Sequence, residues 1–356
     1  MKKTRILFAL MVGAALLLSA CAGGPAGPAE QKNDSLTVLE WSGYESETYW
    51  GPFAEKYPDI QPDYAFFSED AEALAKAQSG FYFDVVHPCG SWWGLYVEAG
   101  LVQPLDISRL SNFDKLFPEL TQHGVINGQQ YFIPWDWAFE SITVRTDLVD
   151  EVPTSWADLW DPQYAGQISI FDSGESTFYT AALALGLDPY NTTPEQDEQI
   201  KQKLIELKPN LLTYWSDYTE IIQLLSTGDV AVGANTWNDA WSTLAEEGYE
   251  IEYIDPLEGR ISYACGFGIS ANSENVDLAY DYINALIDTE SNANMANDFY
   301  YGAANRDSVA LLDPALVAKF GYDDLSILDQ TNFQHPLTQE QREKMTRIWN
   351  EVKSEQ

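Results

Sequence analysis

The alternation of short β-type runs with helical stretches predicts an α/β protein built as two lobes. Two observations beyond the alternation point the same way. At 356 residues the chain is long for a single hydrophobic core. The strand-then-helix pattern that begins at Leu36 also starts afresh at Gln167. An apolar content of 45%, with 13% aromatic residues, is that of a folded chain and excludes wholesale disorder.

Residues 1–20 read as a targeting segment rather than as part of the fold. Lys2, Lys3 and Arg5 precede an apolar run at 6–18, and the small residues Ser19 and Ala20 follow. Leu17-Leu18-Ser19-Ala20-Cys21 resembles a bacterial lipoprotein signal, which implies that Cys21 is lipidated as the first mature residue; a plain secreted protein is the alternative. Residues 21–35 are expected to be a flexible tether, because 22–31 are rich in Gly, Pro and Ala.

Leu36–Trp41 reads as the first strand, Ser42-Gly43-Tyr44 as a turn, and 46–56 as a helix stopped by Pro58. Further strands are expected at 64–67, 83–86, 130–134 and 141–145. The second series runs strand 167–171, helix 196–207, strand 210–214, helix 218–225 and strand 230–233. After strand Ile261–Ile269 come helices at 276–287, 291–301 and 337–355. Strands separated by helices imply parallel sheets. No internal repeat and no membrane span beyond the leader is expected.

The chain carries 55 acidic side chains against 19 basic ones, a net charge of -36. Nucleic acid is excluded, because a phosphate backbone is held by concentrated Lys and Arg. An anionic lipid surface is excluded for the same reason, leaving the lipid anchor as the only expected membrane contact. Loss of Lys2, Lys3 and Arg5 with the leader takes 19 basic residues to 16 against 55 acidic, about -39. Such an excess repels itself unless salt or protons screen it. It suits a saline or acidic habitat, or a field that draws cations to a cleft.

Sequence motifs of catalysis are missing: no phosphate-binding Gly loop, no G-x-S-x-G, no H-E-x-x-H and no C-x-x-C. His87, His123 and His335 are scattered, so no metal site and no cofactor are expected. Tyr300-Tyr301 reads as packing or cleft lining rather than a ferric tyrosinate pair. Cys89 and Cys265 form an even pair in an oxidising compartment, either a disulfide or two buried thiols.

What recurs is aromatic residues beside carboxylates at strand ends: Trp41 and Tyr44, Trp92 and Trp93, Trp135-Asp136-Trp137, Asp172 and Glu175, and Trp237-Asn238-Asp239. In open α/β sheets the crevice at the carboxyl ends of strands is the ligand site. Ring faces attract cations, and carboxylates fix ammonium groups by charge-assisted hydrogen bonds. Asp172 and Glu175, spaced i and i+3 at a helix start, lie on one side of it; acids there also simply complement the helix dipole. They make a poor glycosidase dyad, which would straddle a bond.

Several longer stretches go further. Thr154-Ser155-Trp156-Ala157-Asp158-Leu159-Trp160, with Pro162, Tyr164 and Gly166, is similar to T-S-W-A-D-L-W-x-P-x-Y-x-G. Trp41-Ser42-Gly43-Tyr44 is similar to W-[ST]-x-Y, Asp172-Ser173-Gly174-Glu175 to D-x-x-E, and Phe333-Gln334 to W-Q. Trp237-Asn238 matches a W-N step, and Tyr301 stands four residues before Asn305. From about Leu36 to the C-terminus the chain thus resembles the spermidine/putrescine-binding receptors of ABC importers, within the extracellular solute-binding proteins.

The resemblance implies a periplasmic-binding-protein-like fold of type II, hinge-connected, with the ligand cleft between lobes. The lobes are expected at 36–138 with 265–309 and at 139–264 with 310–356. It implies a non-catalytic monomer of the cell envelope, periplasmic or outer-surface, anchored through Cys21. Such a protein captures a small, polyamine-like cation and delivers it to a permease in the cytoplasmic membrane. Trp41, Trp237 and Tyr263 would supply ring faces, Asp172 and Glu175 the ammonium site, and Tyr44, Tyr301 and Gln334 polar positioning. Ser42, Trp92 and Ser216 complete the expected lining.

Departures from the family pattern matter as well. Tyr263-Ala264-Cys265 stands where the family has an aromatic residue and, two positions on, an Asp; Cys89 replaces a cleft Ser. The two cysteines would then be neighbours, which favours the disulfide, and one anionic contact is lost. A shorter amine, a zwitterion or a quaternary ammonium compound thereby becomes admissible. Arg260 reads as a surface residue, with contact to a substrate carboxylate as the alternative. The rival functions are a receptor for a sugar or opine-like solute and a secreted lipoprotein hydrolase using Asp172 or Asp239. If the acidity is an adaptation to salt, the unfolding temperature rises as ionic strength goes from millimolar to molar. Indifference to salt removes that reading.

Overall fold

In the computed structural model, which describes residues 35–355, eight strands form the spine of one 11-stranded sheet. Cys21, the leader and 21–34 of the expected tether lie outside the described residues. The strands are β1 (Leu36–Trp41), β2 (Pro62–Phe67), β3 (Val85–Val86), β4 (Ile133–Arg145), β5 (Ile168–Phe171), β6 (Leu211–Trp215), β7 (Val232–Trp237) and β8 (Ile261–Ile269). Their order is β2-β1-β3-β8-β4-β7-β5-β6. Each wing is parallel, β1 with β2 and β3, and β5 with β6 and β7. The middle is not: β8 runs antiparallel to β3 and β4, and β4 to β7.

The expectation of parallel pairing therefore holds in the wings and fails at the two central strands. Another correction concerns 130–134 and 141–145, which were expected as separate strands. The second half of the first and all of the second belong to β4, a single strand of 13 residues. Asp136 and Glu140 interrupt its apolar pattern, so the sequence looks broken where the strand is continuous. Every residue of β4 and of β8 is buried, as is usual for strands covered on both faces. Several of their polar groups find partners inside: Ser141 Oγ donates to the Ile254 carbonyl at 2.7 Å, and the Thr143 and Thr236 hydroxyls meet at 2.6 Å.

Packing follows the strands. One hydrophobic cluster contains Leu36, Val38, Trp135, Trp137, Phe267 and Ile269; another contains Ile142, Val144, Trp156, Ile168, Ile170 and Val232. β4 thus feeds both cores in succession. The carboxyl-terminal segment does likewise, with Leu316 and Phe320 in the first cluster and Ile348 and Trp349 in the second. The Thr-Ser-Trp motif is structural. Ser155 and Asp158 form a capping box that starts the turn Trp156–Trp160, and the buried Trp156 donates its indole N–H to the Gly259 carbonyl at 2.9 Å. Thr193 and Thr338 cap the helices Pro194–Leu207 and Gln339–Ser354 in the same way.

Two expected helices end differently. The span 46–56 is split into a 3-10 turn, Glu47–Tyr49, and a helix, Gly51–Lys56. Pro52 has no N–H to continue the first turn, and it suits the opening of the second. The span 291–301 is the helix Thr289–Phe299, stopped by Tyr300 in the left-handed region at φ 60°. Tyr301 thereby leaves the helix, and the chain enters the short strand Gly302–Ala303 beside β4. Arg260 is not a surface residue. It is 3% exposed, its Nε lies 2.8 Å from the Asp255 carboxylate, and its guanidinium sits over the rings of Phe139 and Tyr253. Among the described residues no helix is long and apolar enough to cross a membrane.

Gly302 shows how tightly β4 is covered. A Cβ there would meet Trp137 ring atoms at 2.3 and 2.4 Å, and Trp137 is fully buried with its indole N–H on the Ala303 carbonyl at 3.2 Å. Gly302→Ala is expected to destabilise the fold by about 1–3 kcal/mol through overpacking, read as a lower denaturant midpoint.

Candidate ligand-binding cleft

Strand ends build the cleft walls. β1 ends at Trp41, whose indole N–H donates to the His87 carbonyl at 2.9 Å, and Gly43, at φ +104°, turns the chain so that Tyr44 stacks on Phe299 at 4.0 Å. β5 ends before Asp172, and Ser173 caps the helix Gly174–Ala184, which puts Glu175 in its first turn. β7 ends at Trp237, edge-on to Trp215 at 5.4 Å. Tyr263 and Cys265 come from β8, Tyr301 from the left-handed exit at Tyr300, and Gln334 follows the short strand Asn332–Phe333 beside β8.

These positions converge. Trp41, Ser42, Tyr44, Trp92, Asp172, Glu175, Ser216, Trp237, Tyr263, Tyr301 and Gln334 all line one cleft of about 1730 Å³. Cys89 and Cys265 are joined in a disulfide at that cleft, tying the start of helix Gly90–Glu98 to β8. The asparagines of the motifs do different work. Asn238 accepts from the Phe139 amide at 3.0 Å, and Asn305 donates to the Ile287 carbonyl at 2.8 Å, so both brace backbone beneath the walls.

The model of the bacterial extracellular solute-binding protein family matches residues 52–319. The chain belongs to that family. Similar curated relatives include the spermidine/putrescine-binding periplasmic protein of Salmonella typhimurium, 28% identical over 330 residues, with 90% of this chain and 92% of the relative covered. The putrescine-binding periplasmic protein PotF of Escherichia coli is 28% identical over 353 residues, covering 92% of each chain. Among solved structures, the spermidine/putrescine ABC transporter substrate-binding protein PotD of Streptococcus pneumoniae matches with a TM-score of 0.77 at 24% identity. That match covers 90% of this chain and 98% of the other. The fold is accordingly the α/β periplasmic-binding-protein fold, and the family is one of solute capture without catalysis.

The charges of this solute-binding protein are unevenly balanced along its cleft. The lining carries eleven Asp or Glu side chains and two Arg. Asp172 already accepts from Lys353 Nζ at 2.6 Å and from the Trp349 indole at 2.7 Å. Glu175 is paired with Arg342 at 2.6 Å and accepts from the Tyr179 hydroxyl at 3.0 Å. Arg342 also lies 3.5 Å from the Trp92 ring centroid and donates to the Ser91 carbonyl at 2.8 Å. Sequence reading missed Arg342 and Lys353, because both come from the last helix and no local pattern announces their partners.

Glu351 is paired with Lys201 at 2.7 Å, whereas Asp70, Glu140 and Asp239 have no Lys or Arg within ion-pair distance among the described residues. Burial pushes Glu140 up to about 8, against hydrogen bonds from Asn235 and Ser176 that favour its charged form. Asp70 and Asp239 are each raised to about 7, again mainly by burial. Burial would lower His87, but Glu40 and Asp136, which flank it, outweigh this and hold it at about 9. None of Glu40, Asp70, His87 and Glu140 was singled out as a site residue from sequence; Asp136 was noted only as an acid beside Trp, and Asp239 as that and as an acid of the rival hydrolase reading. Among the described residues no group of three or more His, Cys, Asp or Glu converges to hold a metal ion.

While His123, lowered to about 4 mainly by burial, acts in the opposite sense below about pH 6.5, Asp70, Asp239, Glu140 and His87 all have a folded pKa above the unfolded one, so these four hold more protons in the folded state through the neutral range. Their stabilising contribution is complete below about pH 4 for the acids and about pH 6.5 for His87. It is lost as pH rises through about 7 for Asp70 and Asp239, 8 for Glu140 and 9 for His87. The denaturation midpoint is therefore expected to be higher at pH 5 than at pH 8.5. Glu140→Gln, which cannot ionise, is expected to flatten that slope; an unchanged slope contradicts the assignment of Glu140.

Proposed function

We propose that this protein is the substrate-binding lipoprotein of an ABC importer, capturing a small polyamine-like cation and handing it to a permease in the cytoplasmic membrane. It does so as a monomer, needs no cofactor, and is held at the cell envelope, periplasmic or outer-surface, through Cys21. The observation that carries this reading is the meeting of ring faces and excess carboxylates in one cleft. The names of the relatives support the same solute class.

In this reading Trp41, Trp237 and Tyr263 present ring faces, and Tyr44, Tyr301, Gln334, Ser42, Trp92 and Ser216 position the solute. Asp172 and Glu175 take an ammonium group in exchange for Lys353 and Arg342. The lobes are 36–138 with 265–309 and 139–264 with 310–356. Distinct clusters around Trp135 and Ile142, with β4 and β8 crossing between them, support a division in two, while Leu316 and Phe320 of the second lobe pack into the first cluster. Closure about those crossings buries the solute and creates the shape the permease reads.

A thermal-shift panel of putrescine, spermidine, a quaternary ammonium compound, an ω-amino acid and a hexose tests the proposal. A solute that binds only the folded state stabilises it by about 2.7 kcal/mol at a hundredfold excess over Kd. Amines are expected to raise the unfolding temperature and the hexose to leave it unchanged. A shift by the hexose alone, or turnover of any compound, overturns the amine reading.

A further inference from the structure

One acid of the cleft floor stands where the chain lacks the acid expected at Cys265. Asp136 of β4 is paired with Cys265 of β8 in the antiparallel register. Directly opposed residues of an antiparallel pair project from the same face of the sheet, and both of these line the cleft. Asp136 is 1% exposed, yet its Oδ1 has no hydrogen-bond partner. Its Oδ2 lies 3.5 Å from Nε2 of His87, whose Nδ1 is 2.6 Å from Glu40. A single imidazolium thus serves two buried carboxylates.

Asp239 faces the same recess. One of its oxygens accepts from the Ala240 amide at 2.8 Å, and among the described residues it forms no ion pair with Lys or Arg. Burial first, and the charge of Asp239 next, push the Tyr301 phenol well up; burial, Tyr301 and then Asp136 do the same to Tyr44 and Tyr263. The three phenols therefore lie within electrostatic reach of the acids. Tyr263 and Tyr301 meet edge to face at 6.5 Å.

We propose that Asp136 and Asp239, with Tyr44, Tyr263 and Tyr301, form a second ammonium subsite that supplies from β4 the charge missing at Cys265. The inference rests on the amine reading above and adds to it the place and class of the group bound, a primary ammonium. A buried carboxylate oxygen without a partner is costly, and a cation brought to it in a low-dielectric recess is held strongly. At Asp172 and Glu175 an incoming amine must displace Lys353 and Arg342. Here it displaces no Lys or Arg, because His87 meets Asp136 only at Oδ2 and Oδ1 has no partner, so this is where the first ammonium settles.

Calorimetric titration of the full chain with putrescine and with butylamine tests this. Asp136→Asn and Asp239→Asn are each expected to weaken both amines roughly ten- to hundredfold, the worth of a charge-assisted hydrogen bond. Asp172→Asn is expected to weaken putrescine and spare butylamine. If wild-type protein binds amines and both floor variants bind them as well as wild type, this subsite is overturned and the amine reading survives. If wild type binds neither amine, both fall. Should Asp136→Asn fail to fold, Asp239→Asn decides alone: full affinity overturns the subsite, and the stated loss supports it.

Discussion

The antiparallel pairing of β4 with β8 is the constraint on which the rest of the molecule depends. Both strands are buried along their whole length, and β4 passes from a core holding Trp135 and Trp137 to one holding Ile142 and Val144. The register Tyr263 to Ala138 and Cys265 to Asp136 brings a ring, a sulfur and a carboxylate onto the cleft floor. Because side chains alternate along a strand, a slip of one residue would turn that set into the core and bring Ala264 and Trp137 out. The disulfide to Cys89 pins the same stretch of β8 to the first wing.

The electrostatics follow from where this floor lies. Carboxylates that leave water hold their protons more tightly unless something cationic answers them. At one end of the cleft the last helix supplies that answer, with Lys353 on Asp172 and Arg342 on Glu175. At the other, Asp239 has no Lys or Arg among the described residues, and Asp136 shares His87 with Glu40. The acids of the cleft are therefore answered unevenly, Asp172 and Glu175 by cations of the last helix and Asp239 by none among the described residues.

How much of this was legible depended on whether the signal was local. Leu36–Trp41 and Ile261–Ile269 match their sequence readings residue for residue, since each is an unbroken β-forming run. The convergence of Trp41, Asp172 and Trp237 was legible because strand ends and helix starts meet at one edge of a sheet, whatever their order in the chain; Tyr301, at the end of a helix, was placed in the cleft by the family resemblance. β4 was not legible as one strand, because two acids sit in it for reasons that only its neighbours reveal. The pairing of Arg342 with Glu175 was beyond reach, as the two are 167 residues apart and no spacing rule links them. Arg260 misled in the opposite direction: a charged residue reads as exposed until its partners Asp255 and Phe139 are visible.

The helix Gln339–Ser354 has a practical bearing on how the protein is handled. It carries Arg342, Trp349 and Lys353 to the edge of the cleft, and Ser354 is itself part of the lining. An affinity tag or fluorescent fusion appended after Gln356 would hang at the mouth of the cavity, where a run of histidines offers protons and positive charge to an acidic groove. Handles for purification or surface immobilisation belong ahead of Leu36, in a form from which the leader and Cys21 have been removed.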